Sequence, residues 1–373
     1  MRIYDTPVPR NKREQLPRVC IVFYLLAAIS AALYFAFTVH AGFADWFNLH
    51  ISRWGRRILA YLTGWFPFSL AEWLILLLPL IAILLIVLAV RHYSHSAKAA
   101  FCFIGRIAAL LCLVAVLFVW CFAPGYYGST LDRKLGLERT KVSAEELYRT
   151  ALILTEELTA LSDGLIMNAE GASVMPYSYD EMNSKLMDAY RDWTADRTFP
   201  DHFRSRVKPV MLSEAMSYTH ITGVYSFFTG EANVNVAFPD YTIPFTAAHE
   251  LAHQRGVARE DEANFVAFLV CLHAEDPYIR YSGLLNVYEY VSSALWSADR
   301  DLYRAVNSLL PEKVIREEVA YAAFFEKYKD NTAAKISDAT NNVYLQSQGA
   351  KEGSRSYNMV VDLAVAYYRP QFA

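Results

Sequence analysis

Cysteine is scarce in this chain, five residues in 373, and no two of them stand in a CxxC pair. Cys20, Cys102, Cys112 and Cys121 fall within long apolar runs and Cys271 in a shorter one, so none has an evident disulfide partner. That excludes a disulfide scaffold. A thiol mechanism is excluded with it, because no cysteine is paired with a histidine near a candidate site, and the five read as small buried hydrophobes. Positive charge is also thin. Lys and Arg total 35 against 38 acids, for a net charge of −3, and no basic cluster occurs in the later part of the chain. A nucleic-acid partner is therefore not expected. Internal repeats and low-complexity linkers are missing too, which removes solenoids and disordered tethers.

Apolar residues are what the chain has in plenty, 54% of the total, and they are concentrated at its front. Residues 19–39 form a run without charge, residues 73–90 form another, and residues 101–123 a third, interrupted only by Arg106. Each is long enough to cross a bilayer. The first could instead be a secretory signal with Val39-His40-Ala41 as its cleavage site. Its apolar core exceeds the roughly 7 to 15 residues usual for such a signal, so it reads as an uncleaved anchor.

Orientation follows from lysine and arginine placement. Arg2, Arg10, Lys12, Arg13 and Arg18 precede the first run, whereas Arg91, Lys98 and Arg106 lie in or beside the loop between the second and third. Three spans put these two groups on opposite sides. The denser N-terminal cluster decides, which places the N-terminus in the cytoplasm and everything after Pro124 outside it. Residues 43–66, with Trp, Leu and the basic Arg53, Arg56 and Arg57, suggest an amphipathic helix lying in the interface. The expected organisation is a membrane anchor over residues 1–123 and an extracytoplasmic domain over 124–373, in the cytoplasmic membrane.

The second part is long enough for one well-packed domain or two small ones. It reads as mainly α with a small β-sheet. Ser143-x-x-Glu146 and Ser178-x-x-Glu181 are capping boxes that open helices through about Leu161 and Trp193. Residues 311–328 and 356–368 read as later helices. Over residues 231–238 the apolar Ala232, Val234, Val236 and Phe238 alternate with Glu231, Asn233 and Asn235, which predicts a half-buried strand with its asparagines facing out.

Just beyond that strand stands the motif that carries chemistry, His249-Glu250-Leu251-Ala252-His253. Pro244 and Thr246 suit a first helical turn, Ala247, Ala248, Leu251 and Ala252 favour helix, and Gly256 is a natural stop. On a helix, residues four apart share a face, so the two imidazoles can converge on one tetrahedral ion. Glu250 projects beside that ion, placed to accept a proton from water that a zinc ion has acidified. Two His and one Glu at this spacing arise by chance in on the order of one sequence in a hundred of this length, so the helical context matters to the argument.

A catalytic zinc needs a third protein ligand and an open position. Glu260, Asp261 and Glu262 are all within reach, and their spacing alone does not choose among them. Beyond them the chain reads Glu-Ala-Asn-Phe-Val-Ala-Phe-Leu-Val-Cys, an apolar helix. A carboxylate among Phe265, Val266 and Leu269 is costly unless it is paired or binds a metal, which favours Glu262. Glu260 and Asp261 then serve the helix N-terminus.

The stretch HELAH, an acidic turn and EANFVAFL resembles the ImmA/IrrE-type minigluzincin peptidases, in which the glutamate of an E-A-N-x-F-A run is the third zinc ligand. Over a longer span, LSEAMSYTHITGVYSFFTGEANVNVAFPDYTIPFTAAHELAHQRGVAREDEANFVAFLVC, RYSGLL, GSTLDRKLGL and SRSYNMVVDLAVAYYRP resemble a bacterial membrane family catalogued as domain of unknown function 3810. Together these resemblances imply a zincin- or gluzincin-like peptidase domain behind transmembrane helices. They carry over His249, His253 and Glu262 as ligands of Zn2+ and Glu250 as the base, and they imply no particular substrate.

The expected function is thus a membrane-tethered zinc metallopeptidase acting on a peptide or protein near the membrane face. Zincin-like peptidases pair an extended substrate with a strand beside the active-site helix, which makes Glu231, Asn233 and Asn235 candidate substrate-binding residues. His220, Tyr281 and Tyr288 offer donors for an oxyanion. An intramembrane protease would need the HELAH helix inside a span, whereas residues 246–259 are too polar and 263–274 too short. A non-catalytic scaffold stabilised by zinc is the other alternative, and it would have no use for Glu250.

Overall fold

A computed structural model describes residues 14–94, 96–350, 353 and 359–372. Arg2, Arg10, Lys12 and Arg13, used above for orientation, lie outside the described residues, as does Ser356, the expected start of the last helix.

From the N-terminus, helix α1 (Arg18–Val39) is followed by α2 (Ala41–Phe47), a π-helical turn (Asn48–Ser52) and α3 (Arg53–Gly64). Helix α4 (Leu70–Leu88) runs on through a second π-helical turn to Tyr93, and α5 (Ala97–Cys121) completes the apolar part. Segments Arg18–Val39, Leu70–Tyr93 and Ala97–Cys121 are long and apolar enough to cross a membrane. Their side chains face outward: Leu80 is 62% exposed and Ile86 63%. A water-facing surface of that kind would be strongly unfavourable, so the three helices indicate membrane association.

Helices α2 and α3 turn their polarity inside out. Trp46, Trp54, Tyr61 and Trp65 are exposed, whereas Asn48, Ser52, Arg56 and Thr63 are buried. Apolar residues suit an interfacial exterior, and aromatic ones especially so. The buried face is polar because it meets polar backbone. Arg56 donates to Asn48 Oδ1 at 2.7 Å and to the Cys121 carbonyl at 2.9 Å, and Asn48 Nδ2 donates to the Gly256 carbonyl at 3.0 Å.

The rest of the chain is mainly helical. Short helices α6 (Pro124–Tyr127) and α7 (Leu131–Leu135) lead to α8 (Ala144–Ser162) and α9 (Tyr179–Thr194). Ser143 and Glu146 form the expected reciprocal capping box, and Ser178 caps α9 by accepting from the Glu181 N–H. Strand β1 (Val207–Pro209), helix α10 (Ser213–Ser217) and strands β2 (Gly223–Ser226) and β3 (Glu231–Val234) follow. Then come α11 (Thr242–Gln254), α12 (Glu260–Leu272), α13 (Pro277–Ala298), α14 (Arg300–Asn307), α15 (Glu312–Glu326), α16 (Thr332–Ser347) and α17 (Val360–Tyr368). Helices α11, α12 and α13 form the centre of the main core with α8, α9 and α17 packed around them. Phe265, Phe268, Leu284 and Tyr288 are completely buried there, each contributing on the order of 1.5–3 kcal/mol from burial.

The three strands run in the order β1-β3-β2, with β1 parallel and β2 antiparallel to β3. This corrects the alternating strand read from the sequence. The strand ends at Val234, and Glu231, Ala232, Asn233 and Val234 are all buried, because β3 is central and has α11 and α3 packed against it.

Buried polar contacts tie the anchor to the remainder across residue 123. Lys208 donates to the Thr63 and Phe68 carbonyls at 2.8 and 3.0 Å and to the Glu231 carboxylate. Glu231 in turn accepts the Leu70 and Ala71 N–H groups at 3.0 and 2.8 Å, capping the first turn of α4. Glu72, in that same turn, accepts from Met211 and Leu212.

Candidate metal centre

Helix α11 is buried along its entire length, and α12 packs across it after a turn at Gly256, whose φ of +96° suits a residue without a side chain. A Cβ at Gly256 would also meet the Arg56 guanidinium at 2.6 Å. The tight turn brings the start of α12 back over the motif. His249 Nε2 and His253 Nε2 each lie 3.2 Å from Glu260 Oε2, and the three side chains are buried.

The donor set is fixed from behind. The Val257 carbonyl can only accept, so the 2.7 Å contact to His253 Nδ1 puts a proton on that nitrogen and leaves Nε2 facing Glu260. His249 Nδ1 makes the same kind of contact with Asn264 Oδ1 at 2.7 Å. Glu260 Oε2 is a buried oxygen whose polar neighbours are the two imidazole nitrogens. A buried carboxylate oxygen facing two imidazole nitrogens requires positive charge among them, supplied either by a proton on an imidazole or by a metal ion. The arrangement therefore fits a divalent metal with nitrogen and oxygen ligands, and its orienting contacts are those expected around metal-bound histidines.

Electrostatics tells the same story in terms of protons. Burial raises the Glu260 carboxyl, but His253 and His249 outweigh it and hold the group below its ordinary value. Burial alone would lower His253, yet the charge and hydrogen bond of Glu260 push it up to about 9. Glu250 is raised to about 7, chiefly by burial, with both histidines opposing and Glu260 adding to the rise. A carboxyl poised near neutrality suits a proton acceptor.

Glu262 stands elsewhere. Its Oε1 accepts from the Leu131 N–H and from Arg259 Nη1, both at 2.9 Å, on the side of α12 that faces α7. Burial raises its pKa while Arg259 opposes the shift. The structure thus departs from the expected grouping: Glu260, not Glu262, shares a face with the histidines. At 100° per residue, Glu262 lies about 200° around the helix from Glu260, whereas Asn264 is one turn on and meets His249. Asp261 pairs with Arg139 at 3.0 Å.

The assignments on β3 are corrected as well. Glu231 is engaged with Lys208 and the start of α4, Asn233 Nδ2 donates to the Val224 carbonyl, and Asn235 Nδ2 to Ser217 and the Ile221 carbonyl. A central strand has no free edge to offer a substrate. The edge strands are β1 and β2, and β2, which the sequence reading did not find, packs against the motif helix. Gly223 lies so close to the motif helix that a Cβ there would meet Glu250 Oε1 at 2.6 Å.

His249, His253, Glu260 and Glu250 line a cleft of about 1510 Å³ that is also bordered by Gly223, Val224 and Tyr225 of β2, by Phe122 at the end of the third apolar helix and by Tyr126 of α6. Of the suggested oxyanion donors His220 lines it. Tyr281 is directed at Glu317 instead, and Tyr288 is a buried core residue.

The chain belongs to the family described as protein of unknown function DUF3810, whose model matches residues 47–365. No curated protein and no solved structure matches it.

Proposed function

We propose that this chain is a membrane-anchored zinc metallopeptidase of zincin-like, gluzincin type that hydrolyses peptide bonds, with His249, His253 and Glu260 holding the metal and Glu250 as general base. The observation that carries the reading is the convergence of two oriented imidazoles and a buried carboxylate on one point, with a second carboxyl, Glu250, beside them. A bound zinc ion supplies Lewis acidity that makes water nucleophilic at neutral pH. Asn264 and the Val257 carbonyl hold the imidazoles in one tautomer. Glu250 accepts the proton of the attacking water and can return it to the leaving amine. The edge strand β2, whose Gly223 and Val224 border the cleft, would be the place for an extended peptide to pair.

In this reading the N-terminus is cytoplasmic and residues after Pro124 lie outside the cytoplasmic membrane. A reporter fused after Ala373 tests that side, and activity of a cytoplasm-only reporter would reverse it. The enzymatic reading is tested on the full-length protein in detergent with a quenched-fluorescent peptide library. Cleavage should be abolished by a chelator and restored by zinc. Cleavage that persists without metal, or no cleavage by the zinc-loaded protein, would favour a zinc-stabilised scaffold.

A further inference from the structure

The cleft has a second charged feature that the proposed chemistry leaves unused. Helix α13 lines it with Glu289 and Tyr290, and α15 adds Tyr321. Glu289 Oε1 accepts the Tyr241 hydroxyl at 2.7 Å, while the side chain keeps intermediate exposure because it borders the cleft. No lysine or arginine among the described residues offsets its charge, and its charged neighbours are the acids Glu318 and Glu317. Burial accordingly raises its pKa to about 8. Tyr290 and Tyr321 are near enough to feel that carboxylate, and Tyr321 stands edge-on to Tyr241 at 6.0 Å. Among the described residues that line the cleft, Lys141 is the lone lysine or arginine, against Glu250, Glu260, Glu289, Asp338 and Asp362.

A desolvated carboxyl bordered by two electron-rich rings and facing no protein cation keeps its proton, and a ligand cation can take that proton's place. An ammonium or guanidinium there gains an ion pair in a site of low dielectric and the faces of tyrosine rings. We propose that Glu289, Tyr290 and Tyr321 form a cation subsite that receives a protonated amine or guanidinium of the substrate. That the substrate is a peptide rests on the metallopeptidase reading, whereas the cation recognition does not.

Three probes separate the possibilities on the full-length protein in detergent: N-acetyl-lysine methylamide, which has a side-chain ammonium; norleucine amide, which has only an α-ammonium; and the neutral N-acetyl-norleucine methylamide. Calorimetry should show at least one cationic probe binding tenfold or more tightly than the neutral one, and which of the two does so identifies the source of the cation. Glu289→Gln, which keeps the shape and can still accept from Tyr241, should bring that ratio to about one. Glu289→Leu should do the same and serves if the first variant is poorly folded. Equal binding of all three probes by the wild type, or a preference that survives both substitutions, overturns the proposal. A preference lost in the variants, in a protein that cleaves no peptide, would sustain the subsite and remove the peptidase reading.

Discussion

Helices α4 and α12 are both apolar over most of their length, yet they meet opposite surroundings. Helix α4 turns Leu80, Ile83, Leu84 and Ile86 outward, each more than half exposed. Helix α12 is buried from Glu260 to Cys271, with three acids in its first turn. Where the exterior is hydrocarbon, a helix needs only apolar side chains and its own backbone hydrogen bonds. Where the exterior is protein, each buried carboxylate must find a partner. The three in α12 find different ones: two imidazoles for Glu260, Arg139 for Asp261, and the Leu131 N–H with Arg259 for Glu262. Burial shows that an acid has a task without showing which task.

The comparison is broken most severely at the acid to which the proposed function gives a chemical task. Glu250→Gln should lower turnover by about 10²–10⁴-fold with zinc content unchanged, since an amide cannot accept the water proton. Initial rates alongside metal analysis check both halves. Next comes the seam between the two surroundings. Lys208→Met strands Glu231 in a buried site and should cost about 3–5 kcal/mol of stability, read from the unfolding midpoint in detergent. Adding Glu231→Gln should recover part of that loss, and no recovery would show that the pair is not coupled.

The outward face of α4 provides the converse test. Leu80→Asp puts a carboxylate where no partner exists and should disfavour insertion by about 2.5–3.5 kcal/mol, measured as the fraction of chains integrated. A wild-type fraction would mean that this face does not meet lipid. A further test lies at Glu289. Its folded-state pKa of about 8 exceeds the ordinary 4.5, so the folded protein retains a proton that the unfolded chain loses as pH rises. Wild-type stability should therefore fall between those values. Glu289→Gln, permanently neutral, should match the wild type near pH 5 and unfold at a higher temperature near pH 8.5. An advantage that is the same at both pH values would show that Glu289 is charged throughout.

Much of this was legible without coordinates where the signal is local. The three apolar runs needed only length and composition, and the paired histidines only the helical repeat. Which acid faces the histidines was not so legible, because the argument from burial applied equally to three adjacent acids, and two of the groups that engage Asp261 and Glu262, Arg139 and Leu131, stand more than a hundred positions away in the chain. One local signal was available: Asn264 follows Glu260 by one turn on the same face, a pairing that Glu262 lacks. The strand over residues 231–238 misled for a related reason. Alternation assumes one wet face, and β3 has none, so Glu231, Asn233 and Asn235 are structural groups turned inward. Strand β2 carries too short a pattern to register, although it provides the edge beside Glu250.

The account stands or falls on which acid of α12 faces the histidines, and zinc content decides it. After dialysis, the full-length wild type and Glu262→Ala should each retain about one zinc per chain, and Glu260→Ala should retain none. Zinc held by Glu260→Ala and lost from Glu262→Ala would contradict the site described here.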